Sequence, residues 1–229
     1  MPQYDKAWLD ETLAAMNASD EVDVEGRHPP KVDGWVEPEW YDSTVTNTQG
    51  PEWAALHAHL KAHRQRWLEL PMTTELHWRG KFSEEGVGVC GGFCLRSLAE
   101  AWDARDYDGW QAPMKDPSHG AQLLLDFDNW HATGYTLVAV GEELELIYSD
   151  RHRFLPLTLD PLEYFEVALE CLGWPGWQLL FAPPRSTDAS LERTCFTPME
   201  KYLTRWFPNR GRPKLSAALK IWRSLLSSA

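Results

Sequence analysis

The chain has 229 residues, 43% of them hydrophobic and 24% charged, which is an ordinary globular balance with enough apolar material for a sizeable core. Its formal net charge of −12 weighs against nucleic acid or a membrane surface as partner, because both are polyanions that repel an acidic protein. No charge-free apolar run approaches the roughly 18 residues of a membrane span, and Met1–Lys6 has no secretory pattern, so a cytoplasmic location is expected.

Residues 7–16 form a short helical pattern. From Asp20 to Ser43 the chain is acidic and shows no sustained period, which predicts an irregular arm. The first 60 residues hold twelve Asp/Glu against three Lys/Arg, so most of the net charge lies at this end. From Gly50 the pattern sharpens. Pro51 suits a first helical turn, Trp53, Leu56, Leu60 and Trp67 share one face of a helix running to Leu68, and Pro71 stops it. His59 and His63 stand four apart there without a third metal ligand, and solvent-facing histidines are expected.

Residues 86–96 read as a Gly-rich turn and an extended segment, followed by a capping box, Ser97-Leu98-Ala99-Glu100, that opens a helix. Three strands follow, at 122–127, 135–140 and 144–148, the last two as a hairpin, with a fourth at 154–157. Asp160 with Pro161 and Glu163 starts a helix whose Leu162, Phe165, Leu169 and Leu172 share a face, and Gly173 closes it. The fold class is therefore α+β, an antiparallel sheet flanked by helices. The organisation expected is an N-terminal helix and acidic arm over 1–50, a main domain over 51–182, and a linker with a helical tail over 183–229. Within it, Asn209 to Ala229 carries Arg210, Arg212, Lys214, Lys220 and Arg223 with no acid, and Leu215, Leu219, Trp222 and Leu226 share a face. Such a basic helix can bind a membrane or partner. Docking on the chain's own acidic arm is the expectation.

Four cysteines, Cys90, Cys94, Cys171 and Cys195, are expected to be reduced, and their spacing is poor for zinc. No metal or cofactor is expected. One constellation could carry chemistry: Cys90 as thiol nucleophile, His131 as base and Asp150 as the carboxylate orienting it, an order and spacing closer to the transglutaminase-like than to the papain-like thiol enzymes. In those enzymes the cysteine opens a helix, whose field helps depress the thiol pKa. Here the helix starts at Ser97, and a structural cysteine beside packing glycines is favoured. Asp126 and Asp128, two apart on a strand, could pair as carboxylates, but the run through Asn129 reads as a strand end turning into solvent.

The run Gly91-Gly92-Phe93-Cys94-Leu95-Arg96-Ser97-Leu98-Ala99-Glu100-Ala101-Trp102, the strands after it, and Pro156 to Leu172 together resemble the SUKH superfamily of fungal cell-wall assembly regulators and bacterial immunity proteins. Gly173 to Phe181 is similar to a Trp-Gln tail of some members. The likeness spans 52–182; the arm and tail have no counterpart in it, and the family's Asn-Gly-Gly loop is represented only by Ser83 to Gly86. It implies an α+β fold without catalytic residues that works by binding a protein, most often a toxin. A basic toxin domain would suit the acidic surface, with Trp110, Asp126, Asp128, Trp130, Trp174 and Trp177 as candidate contacts.

Overall fold

The computed structural model describes residues 6–24, 31–35, 37–80, 90–103, 123–130, 134–140, 142–149, 154–182, 189–207 and 211–227. The architecture is α+β: antiparallel strands with helices packed around them. The described helices are α1 (Lys6–Asn17), α2 (Pro38–Asn47), α3 (Ala54–Ala62), α4 (Arg64–Leu68), α5 (Leu98–Asp103), α6 (Pro161–Cys171), α7 (Ala189–Leu191), α8 (Thr197–Trp206) and α9 (Pro213–Ser227). The strands are β1 (Val22–Val24), β2 (Lys31–Trp35), β3 (Pro71–Gly80), β4 (Cys90–Arg96), β5 (Leu123–Trp130), β6 (Gly134–Val140), β7 (Leu144–Ser149) and β8 (Phe154–Leu157). The stretch 20–43, expected to be irregular, instead carries β1, β2 and the start of α2. Three- and five-residue strands are too short to register as a period, which is why alternation in the sequence missed them.

Composition divides the chain at 50 and 182, whereas spatial contacts assemble two interleaved units. The first comprises Met1–Lys31, Glu75–Phe93 and Glu163–Ala229, the second Val32–Thr74 and Cys94–Leu162. β3 and β4 contribute residues to both.

In the first unit the strands are ordered β1-β3-β4, and β1 runs antiparallel to β3 with Asp23 opposite Arg79. Alternation along β3 turns Leu76 and Trp78 into the core and Arg79 out. Trp78 is the anchor of this unit. Its ring meets Trp174 and Trp206 at centroid distances of 5.5 and 5.4 Å, and its indole N–H donates to the Leu172 carbonyl at 2.7 Å. The helix α6 was expected to have one apolar face, but every residue from Tyr164 to Leu172 is buried. A helix enclosed all round must dispose of its polar side chains internally, and the C-terminal helices supply the partners. Leu172 and Gly173 end α6 in the left-handed region, with φ of 50° and 62°. Glycine is favoured at the second position because of its φ and because a Cβ there would stand 3.0 Å from Gly92 Cα and closer still to its carbonyl. The chain thus leaves α6 with Gly173 accepting the Gly92 N–H at 3.0 Å.

In the second unit the antiparallel order is β4-β5-β6-β7-β8, and β6 is buried throughout Thr136–Val140. The hairpin of β6 and β7 pairs Val140 with Leu144, as the glycine-containing turn between them suggested. The single helix expected over 51–68 is broken. A 3₁₀ turn at Pro51–Trp53 leads into α3, and His63, at φ −112° and ψ 17°, separates α3 from α4. The expected stripe survives the break: Leu56, Leu60 and Trp67 are buried, and Trp53 meets Trp102 edge-on at 4.9 Å. The Tyr41 hydroxyl donates to the Leu60 carbonyl at 2.8 Å, tying α2 to α3.

Candidate functional site

Cys90 lies half-buried at the start of β4, and α5 begins only at Leu98. The expected Ser97 cap is formed, with the Glu100 N–H donating to Ser97 Oγ at 3.2 Å. The thiol therefore sits on a strand, remote in sequence from any helix N-terminus that could stabilise a thiolate. The glycines beside it have structural duties. A Cβ on Gly91 would stand 2.8 Å from Trp78 Nε1 and nearer still to Cε2 and Cζ2, while Gly92 receives the end of α6. His131 and Asp150, the other members of the expected thiol constellation, lie outside the described residues, as does Trp110.

The two buried thiols, Cys171 and Cys195, are framework. Cys195 donates its S–H to the Pro175 carbonyl at 2.9 Å, and burial pushes it up to about 12. Burial raises the Cys171 thiol well above its ordinary value, with the nearby Glu170 adding to the effect. Neither forms a thiolate near neutral pH.

Asp126, Asp128 and Trp130 are all on β5, which continues past the expected strand end at Phe127. Its pairing with β6 skips a residue: Asp126 is opposite Leu137 and Asp128 opposite Thr136, so Phe127 is the extra residue of a bulge. Two residues expected to share a face thus pair with consecutive residues of the neighbouring strand, and the spacing argument for a carboxylate pair no longer holds. Trp174 and Trp177, offered by the sequence as partner contacts, are 2% and 1% exposed. They are core residues. Trp174 stacks on Tyr202 at 6.0 Å and Trp177 packs on Tyr164 at 4.7 Å, so neither ring presents a surface to a partner.

The charged residues are organised in a way the sequence concealed. Glu170 is 2% exposed, and its carboxylate accepts the Leu215 N–H at 2.8 Å, capping the first turn of α9. Lys214 Nζ reaches Glu166 at 2.9 Å. Arg212 donates to the carbonyls of Leu203 and Phe207 at the end of α8, at 2.8 and 3.3 Å. Arg223 bridges Glu192 at 2.9 Å and Glu200 at 2.8 Å. The tail does fold back on its own chain, but its acids come from α6, α8 and the π-helical turn Glu192–Phe196 and not from the N-terminal arm. Arm and C-terminal helices meet elsewhere: Glu21 pairs with Arg205 and accepts the Trp206 indole N–H at 2.9 Å.

Other carboxylates lie on the surface of the described residues. Asp10, Asp20, Asp23, Glu37, Glu39, Glu142, Glu143 and Glu145 are all exposed, the last three around the β6–β7 turn. A further polar pair missed by sequence reasoning is on β3, where buried His77 hydrogen-bonds through Nε2 to Glu75 at 2.7 Å. The i,i+2 spacing on a strand was the signal that could have found it. Among the described residues no three His, Cys, Asp or Glu side chains are arranged to hold a metal, and no helix is long and apolar enough to cross a membrane. A shallow cleft of about 10 Å³ in the first unit, room for about one water, is lined by Trp8, Thr12, Leu169, Phe207 and Arg212 among others, and it is largely apolar.

Comparison with protein-family models, with curated proteins and with solved structures finds no match to this chain.

Proposed function

We propose that this chain is a protein-binding module of the immunity type, related in kind to the SUKH proteins, and that it neutralises a basic partner by direct contact. The observation that carries the reading is the segregation of charge. Arg205, Arg212, Lys214 and Arg223 of the C-terminal segment are paired with carboxylates or carbonyls of the chain itself, Lys201 and Lys220 stay exposed, and at least eight carboxylates face outward. Such a surface accelerates encounter with a basic domain and repels acidic competitors.

The test is a tagged capture followed by titration of the purified partner against charge-reversed chains. With Glu142→Lys, Glu143→Lys and Glu145→Lys combined, affinity should fall by at least tenfold at low salt, and the difference should shrink as salt is raised. Cys90→Ser should bind as the parent does. A partner bound equally well by the charge-reversed chain would defeat the proposal, as would a Cys90 alkylated far faster at mildly acidic pH than the other three cysteines.

A further inference from the structure

The two histidines expected to face solvent on α3 do not. His59 and His63 are both half-buried, with rings 4.6 Å apart and tilted by 43°, and the Trp67 ring lies 6.3 Å from His59. His59 Nε2 is buried without a hydrogen-bond partner. A neutral imidazole tolerates that position, whereas an imidazolium there would be a desolvated cation beside a second ring able to charge. The neighbouring His57 has a different environment, since its Nδ1 lies 3.0 Å from the Val45 carbonyl of α2. Burial first, and His63 second, hold His59 down to about 4 from its ordinary 6.5, against a weaker pull from Asp160 at the head of α6.

We propose that the His59–His63 pair is an acid-operated latch on α3: His59 takes up its proton more readily when α3 leaves its seat, so acidification opens the α3–α4 segment. This device is independent of the protein-binding reading. Because the seated form has the lower pKa, the open form binds more protons. Seating is therefore at full strength above about pH 6.5 and weakens as pH falls toward about 4. Between pH 7.5 and pH 5 the opening equilibrium should rise roughly 30-fold, reaching roughly 300-fold well below pH 4.

Hydrogen exchange on the intact chain, corrected for the intrinsic pH dependence of exchange, reads this directly. Protection of the α3 amides should fall by roughly 30-fold from pH 7.5 to pH 5, and His59→Leu should flatten the response. Should that variant fail to fold, ring titration of His59 by NMR in the parent chain serves instead. A midpoint near 4 that rises in His63→Asn supports the latch. A midpoint near 6.5 with α3 protection unchanged, or an equal pH response in folded His59→Leu, overturns it.

Discussion

Replacing Gly91 by alanine places a methyl group against the Trp78 indole, where a Cβ would stand 2.8 Å from Nε1 and closer to two ring carbons. Ordinary contact begins near 3.4 Å, so ring and strand must separate by well over half an ångström. Neither yields easily. Trp78 is held by its 2.7 Å hydrogen bond to Leu172, and β4 by the Gly92 N–H on Gly173 at 3.0 Å. Overpacking of this kind costs about 1–3 kcal/mol, offset by about 0.4–1 kcal/mol from stiffening the unfolded chain, so Gly91→Ala should lose about 1–2 kcal/mol net. Trp78→Phe removes the ring atoms concerned, at the expense of a lost hydrogen bond and volume. In that background Gly91→Ala should be neutral or slightly stabilising, giving a coupling of about 1–3 kcal/mol across the double-mutant cycle. Urea unfolding followed by far-UV circular dichroism is the assay, since Trp78→Phe alters the fluorescence signal. Equal costs of Gly91→Ala in both backgrounds would refute the steric account.

Glu170→Gln keeps the shape of the buried side chain but removes its charge from the first turn of α9; the expected loss is about 1.5–3 kcal/mol, with easier proteolytic cleavage within 213–227. Native-state titration with a disulfide reagent at pH 8 should modify Cys90 and Cys94, both half-buried, whereas Cys171 and Cys195 should react only on unfolding; four rapid reactions would contradict the placement of the buried thiols. The bidentate pair of Arg64 and Asp42, at 2.7 and 2.8 Å, is exposed and screened by solvent, so Asp42→Asn should leave the urea midpoint unchanged, in contrast to Glu170→Gln.

Local chemistry was legible in the sequence wherever it repeats or punctuates. The 3.6-residue spacing placed α6 and α9 and the buried stripe of α3 and α4, though as one unbroken helix, Asp160-Pro161 opened α6, Gly173 closed it, and Ser97 capped α5, because these signals act within one or two turns of backbone. The strands β6, β7 and β8 followed from runs of apolar residues between turn residues. Contacts between distant stretches decided the rest. The need for glycine at 91 comes from a tryptophan on another strand, and the burial of Trp174 and Trp177 from helices later in the chain. The bulge at Phe127 comes from a register that only the partner strand defines. The carboxylates of α6 could be read as a polar face in isolation. They became internal partners of Lys214 and of the α9 N-terminus once α9 packed against them, because a helix buried on every side must satisfy its charges with whatever the tertiary fold brings near.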